Sequence, residues 1–195
     1  MQTQTQKIFY TPEEYLQLEK TSEFKNEYWD GEIVPMAGGT TNHNEIALNF
    51  CTNFKFTTRG KNYKIYMGDV KLSIPRYRIY TYPDIMVIQG EPIYEGNGTT
   101  TVTNPLLIVE VLSKSTENHD RTNKFRFYRS IPTLKEYIMI DQYEYLVEQF
   151  TKNADSQWVL TEYESEDAVL SLQKIDFQIP FSEIYAGVNF EVGEE

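Results

Sequence analysis

From His43 to about Thr58, apolar residues recur at intervals of three and four. Ile46, Ala47, Phe50, Cys51 and Phe54 fall on one stripe, which predicts a helix with a single buried face. Asn42 stands where a helix cap is expected, and Arg59-Gly60 puts glycine at the stop. An earlier helix start is written in Thr11, Pro12 and Glu14, a capping box with proline at the first helical position, backed by Tyr15 and Leu18. Between these helices, EYWDGEIVPM reads as two short strands around Asp30-Gly31, a dipeptide that accepts the positive φ of a tight hairpin turn.

Strand periodicity takes over after Gly60. In YKIYMGDVKLSI the apolar set Ile65, Met67 changes parity to Val70, Leu72, Ile74, so Gly68-Asp69 is expected to be a bulge or bend within a strand. Residues 75–81 read as a turn, YPDIMVI as a strand opened by proline, and residues 89–104 as a loop. PLLIVEVL is almost continuously apolar, the pattern of a strand buried on both faces. Ser115 or Thr116 caps a predicted helix over roughly residues 118–130, with Phe125 and Tyr128 facing inward and Pro132 ending it. LKEYIMID is another strand. YLVEQF, WVLTEY, AVLSL and IDFQI follow as a meander, Ser182 caps a last short helix, and the acidic end of the chain is expected to be loose. The order of elements implies an α/β (α+β) core, a central mixed sheet flanked by helices, with a β-hairpin and a C-terminal β-meander added. With no repeat and no linker, one domain is expected over residues 9–190, between a polar arm (1–8) and a tail (191–195).

Composition narrows the class. A length of 195 residues suits one domain, and 40% hydrophobic residues with 24% charged places the chain outside the disordered class. The single cysteine, Cys51, excludes a disulfide framework and a cysteine-based zinc site, and makes a reduced, cytoplasmic setting the default. The opening MQTQTQK lacks a signal-peptide pattern, and no apolar run reaches the roughly 18 residues of a membrane span. A net charge of -11 argues, at face value, against a nucleic-acid partner.

Two acids sit where acids are costly. Glu110 lies inside PLLIVEVL, where an unpaired carboxylate costs several kcal/mol, so it is protonated, paired or bound to a metal. Asp84 opens the preceding strand in YPDIMVI. Neighbouring strands would let the two carboxylates converge, and with few His or Cys available Mg²⁺ or Mn²⁺ is the matching cation. A buried Arg or Lys beside Glu110, and a plain strand-end turn at Asp84, remain the structural alternatives. There is no H-E-x-x-H, G-x-S-x-G or phosphate-binding glycine loop, and no nucleotide cofactor is expected.

YPD (82–84), VEVLS (109–113) and a helix carrying Lys124-Phe-Arg-Phe-Tyr128 resemble the PD-(D/E)xK nuclease superfamily. More narrowly, the chain resembles a bacterial family described as restriction endonucleases, a domain of unknown function. EYWDGEI, the His43 helix, GDVKL, NPLLIVEVLSKST, DRTNKF, YRSIPTLKEYIMID and EIYAG carry that match, over roughly residues 8–188. The resemblance implies a restriction-endonuclease-like fold and a Mg²⁺-dependent endonuclease acting on DNA. Asp84 and Glu110 are then the metal-binding acids. Leu112 occupies the position where the superfamily pattern wants lysine. Members of the narrower family supply that lysine from the following helix, here Lys124, to position or deprotonate the attacking water; Lys114 is the alternative donor. Asp69, His43 and Glu27 are second-tier candidates: a third acid or a bulge residue, a phosphate contact or a polar cap, and an extra acid beside the site. His119 has no partner suggested by spacing. Leu112 also motivates a different class of function, a nuclease scaffold kept as a nucleic-acid-binding or assembly module; another phosphodiester, such as RNA or a nucleotide, is a third. An Nζ of Lys124 aimed at Asp84 and Glu110 favours the enzyme, and one aimed at solvent favours the module.

Charge is unevenly spread. Residues 55–78 carry a net +6, whereas residues 142–195 carry -10. Arg59, Lys61, Lys71, Arg76, Arg78 and, on the later helix, Arg121 are therefore the expected nucleic-acid contacts, in a weak and strongly salt-dependent association. A homodimer is expected by analogy with enzymes that cut both strands.

Overall fold

Thr11 and Glu14 exchange both hydrogen bonds of a capping box, Glu14 N to Thr11 Oγ1 at 3.2 Å and Thr11 N to Glu14 Oε2 at 2.7 Å, and so start α1 (Pro12–Glu19). The computed structural model describes residues 8–36, 38–114 and 116–191. The hairpin of β1 (Asn26–Trp29) and β2 (Glu32–Pro35) turns on Asp30 and Gly31, with φ of 45° and 109°. The apolar stripe becomes α2 (Thr41–Thr57), which buries Ile46, Ala47, Phe50 and Phe54. Its cap is Thr40, whose hydroxyl accepts from His43 N at 3.1 Å, and not Asn42. Asn42 lies inside the helix and instead exchanges hydrogen bonds with the backbone of Asn189.

The parity change at Gly68-Asp69 is larger than a bulge. β3 (Tyr63–Met67) and β4 (Lys71–Ile74) belong to different sheets, and Gly68, at φ 63°, carries the chain from one to the other. The expected turn at 75–81 is a 3₁₀ turn (Pro75–Tyr77) followed by a strand, β5 (Ile79–Thr81). Next come β6 (Ile85–Gln89), a two-residue β7 (Thr101–Val102) inside the expected loop, and β8 (Leu107–Leu112), every residue of which is buried. The crossover begins with α3 (Glu117–His119), widens into a π turn (Asp120–Lys124) and returns to α-helix in α4 (Phe125–Tyr128). Thr116 precedes α3 without capping it through its side chain. Ser115, the other expected cap, lies outside the described residues.

The chain continues through β9 (Glu136–Asp141), β10 (Val147–Lys152), β11 (Trp158–Tyr163), β12 (Val169–Ser171), β13 (Gln178–Pro180) and α5 (Phe181–Ile184). The expected meander is divided: β10 and β11 extend the central sheet, whereas β12 and β13 pair only with each other. Ser182 sits inside α5, which follows Pro180 without a side-chain cap. Residues 1–7 and 192–195, most of the expected arm and tail, lie outside the described residues.

The central sheet is mixed, in the order β11-β10-β9-β8-β6-β3, with β8 and β9 parallel. Alternation sorts its side chains. Ile85, Val87, Val109, Val111, Ile138 and Ile140 join the apolar face of α2 and the C-terminal residues Phe177, Phe181 and Ile184. Met86, Ile88, Ile108, Leu112 and Met139 pack on the opposite face against Tyr128 and the second sheet, β2-β1-β5-β4-β7. Tyr82 and Pro83 link β5 to β6, so the two sheets meet beside Asp84.

Candidate active site

β6 and β8 run antiparallel with Ile85 opposite Val109, a register that brings Asp84 opposite Glu110. Both lie at the carboxyl end of β8, where the crossover helix starts, the usual position for ligands in open sheets of this kind. Asp84 N donates to Glu110 Oε2 at 3.1 Å, and Val111 N donates to Asp84 Oδ2 at 2.8 Å. His43, from the first turn of α2, places Nε2 3.1 Å from the same Oδ2. A Cβ at Gly39 would lie 3.1 Å from His43 Nδ1, so glycine leaves the imidazole its place.

Glu110 is only 2% exposed, and its other oxygen, Oε1, accepts from Lys124 Nζ at 3.2 Å and Tyr128 OH at 2.8 Å. Lys124 Nζ also lies 2.9 Å from Asp120 Oδ1, an ion pair whose angles do not make a hydrogen bond. These three groups come from the π turn and the α4 that follows it, and π turns recur at functional sites.

The carboxyls titrate in opposite directions. Burial pushes Glu110 well above the usual carboxylate range; the Lys124 ammonium opposes this, and Asp84 and Asp120 add to it. Burial also acts to raise Asp84, but the hydrogen bond and charge of His43, with Lys124 and the Val111 amide, hold it below its ordinary value. For Lys124, burial works against the charge, yet Glu110, Asp120 and Glu27 keep the ammonium well above the ordinary lysine value. In this arrangement Lys124 is held as an ammonium between Glu110 and Asp120. For His43, burial is outweighed by Asp84 and the imidazole is raised; burial and Lys124 push His119 down.

These groups line a cleft of about 1070 Å³ at the junction of the two sheets. Glu27 is brought there by β1, where its carboxylate accepts from the Thr81 hydroxyl and from Trp29 Nε1 at 3.0 Å. His119, Tyr128, Asp120 and Gln142 complete the surroundings of the acids. Gln142 donates to Leu112 O at 2.8 Å and accepts from the Thr40 hydroxyl, tying the end of β8 to the start of α2. The spacing of Asp120 and Lys124, one helical turn apart, was the readable signal for that pair. Tyr128 and His119 carried none that separates them from core or surface residues.

The other candidates do not line the cleft. Asp69 is exposed in the sheet-switching turn and pairs with Lys25, away from the cleft lining. Lys114 is exposed over the Tyr143 ring, at 5.2 Å, and does not line the cleft. Arg59 and Lys61 lie beyond the far end of α2, roughly 20 Å from His43 at 1.5 Å per residue, and Lys61 pairs with Asp176 at 2.8 Å. Lys71 is buried among the rings of Tyr15, Tyr80 and Tyr82, and burial lowers its pKa, so it presents no surface charge. Arg121 is committed to Glu148 at 2.7 Å and Glu117 at 3.2 Å, and Arg78 lies 3.3 Å from Asp30. Arg76 is exposed beside Tyr77.

Asp84 Oδ1 accepts no hydrogen bond among the described residues, and the Asp84 side chain is 22% exposed. Among the described residues no group of three or more His, Cys, Asp and Glu has metal-holding geometry. Two carboxylates with one open oxygen fit a hard cation that keeps most of its waters, as Mg²⁺ does, better than zinc.

Comparison with known proteins agrees with this architecture. A crystal structure described as a putative nuclease belonging to DUF820, from Anabaena variabilis, superposes with a TM-score of 0.76 at 17% identity, covering 92% of this chain and 99% of that one. Two uncharacterized proteins of Synechocystis sp. are similar in sequence. One, sll1609, is 44% identical over 81% of this chain and 89% of its own length; the other, slr1290, is 36% identical over 92% and 93%. Among the described residues no helix is long and apolar enough to cross a membrane. Residues 12–182 match the family model described as "Uma2: Putative restriction endonuclease", and the chain belongs to that family, with a restriction-endonuclease-like fold.

Proposed function

We propose that the protein is a divalent-cation-dependent endonuclease that hydrolyses phosphodiester bonds of DNA. The observation that carries the reading is the convergence of Lys124 Nζ, from the helix, on the carboxylate pair of Asp84 and Glu110, from the strands. Family membership supports a nuclease, and the name of the Anabaena relative points the same way. Asp84 and Glu110 would hold Mg²⁺ or Mn²⁺, which when bound neutralises charge at the phosphate and acidifies the attacking water. The Lys124 ammonium, fixed between Glu110 and Asp120, stabilises negative charge that develops on the phosphate in the transition state. Tyr128 and the Asp84 amide orient Glu110, while His43 and the Val111 amide orient Asp84 so that its free oxygen remains available. A non-catalytic module is the weaker reading, because the ammonium missing at Leu112 is restored in space by Lys124.

Supercoiled plasmid incubated with Mg²⁺ or Mn²⁺ tests the proposal. The wild type is expected to nick it where negative supercoiling unpairs the strands, and Asp84→Ala and Glu110→Ala to be inactive. Equal cleavage by all three proteins would contradict the mechanism.

A further inference from the structure

One wall of the cleft is aromatic. Trp29 of β1, Tyr77 of the 3₁₀ turn and Phe127 of α4 all line it, and all are half-buried. Phe127 joins the other two, with ring centroids 5.6 Å from Trp29 and 4.9 Å from Tyr77. His119 meets the edge of Trp29 at 4.7 Å. Three separate elements deliver these rings, which rest on the buried core, to one side of a cleft that also carries the acids of the site.

The charge of the cleft runs against duplex DNA. Among the described residues no arginine lines it and one lysine does, held by Glu110 and Asp120, while Glu27, Glu32 and Asp30, the last paired with Arg78, add acids to those of the site. A duplex binds through many phosphate contacts, which such a lining does not offer. Unpaired strands bind differently, by stacking bases on aromatic rings with fewer phosphate contacts. Arg76 and Arg126 are the cations placed beside the wall for such contacts. Both are exposed, neither has an acidic partner among the described residues, and each lies against one ring of the wall, Arg76 at 5.5 Å from Tyr77 and Arg126 at 5.8 Å from Phe127.

We propose that the cleft takes unpaired DNA, with a base stacked on the Trp29–Phe127–Tyr77 wall and the adjoining backbone held by Arg76 and Arg126, so that the substrate of the site is a single-stranded stretch and not intact duplex. This rests on the nuclease reading of the cleft for its chemistry, but the binding mode stands on the wall and the charges.

Fluorescence anisotropy with a labelled single strand and with its duplex, in Ca²⁺, reads the preference directly; Mg²⁺ and a forked substrate then read cleavage. The single strand is expected to bind at least tenfold tighter than the duplex. Tyr77→Leu and Phe127→Leu should weaken single-strand binding by about 5- to 150-fold, the range of one lost base–aromatic stack, without changing duplex affinity. Arg76→Ala, an exposed change with little bearing on folding, should reduce the slope of log affinity against log salt by roughly 0.7. Duplex binding as tight as single-strand binding, or wall variants that weaken both alike, would overturn the proposal. Metal-dependent cutting of duplex without strand preference would leave the nuclease reading and remove this one. Wall-dependent single-strand binding without cleavage in any metal would do the reverse.

Discussion

Lys124 lies 3.2 Å from Glu110 although fourteen residues separate them along the chain. The strand position two beyond Glu110 is an apolar core residue, Leu112, and the cation arrives instead from the π turn of the crossover. The same ammonium pairs with Asp120, so one positive charge is shared between two buried acids.

Lys124→Met is expected to lower cleavage by about 10²- to 10³-fold at saturating Mg²⁺, the usual cost of losing one aligned electrostatic stabiliser. Lys124→Arg should retain part of the activity. The Met variant also removes the ammonium that Glu110 and Asp120 share, so urea unfolding in metal-free buffer at neutral pH should show a loss, held below about 3–5 kcal/mol because the raised Glu110 carboxyl takes up a proton. Unchanged cleavage would remove Lys124 from the site.

Tyr128→Phe deletes only the hydroxyl that donates to Glu110 Oε1 at 2.8 Å and keeps a ring that is fully buried. Urea unfolding should show a loss of about 1–2 kcal/mol. Cleavage should fall less than in Lys124→Met, because Lys124 and the Asp84 amide still hold the carboxylate. A cleavage loss equal to that of Lys124→Met would mean that Tyr128 contacts the reacting groups.

Glu136 gives a pH signature away from the site. Burial raises its pKa even though Gln173 N, Lys174 N, Thr151 and Gln149 act to lower it, and its Oε2 is buried without a partner. A raised carboxyl favours the folded state in its protonated form. Its contribution is full below the ordinary value of 4.5 and is lost as pH rises through the raised value. Glu136→Gln is therefore expected to be more stable than the wild type at pH 7, by about 1–2 kcal/mol, with the difference shrinking toward pH 4. Urea midpoints at the two pH values check this, and a difference independent of pH would contradict it.

Much of the fold was legible because each main element buries one clear stripe. The capping box at Thr11, the apolar face of α2 and the all-buried β8 follow from residue spacing alone. The sheet switch at Gly68 did not, because a bulge and a departure to another sheet change the parity of side chains in the same way. β5 was hidden for another reason: three residues between a 3₁₀ turn and a proline show too few periods to read. In the site, Asp84 and Glu110 stood out as acids among apolar neighbours. Glu27 was reached only through the family resemblance and His119 not at all, since their places depend on how the second sheet and the crossover helix fold back over the first. Lys71 misled because alternation beside Leu72 suggests solvent, whereas three tyrosine rings from two other segments enclose it.

The central claim is that Asp84 and Glu110 hold a divalent cation, and Mn²⁺ binding followed by electron paramagnetic resonance tests it most directly. One tightly bound ion per chain is expected for the wild type, with the free-ion signal restored in Asp84→Asn, which removes the charge beside the open oxygen, and weakened binding in Glu110→Gln. An absence of binding in the wild type, or equal binding in Asp84→Asn, would contradict the account.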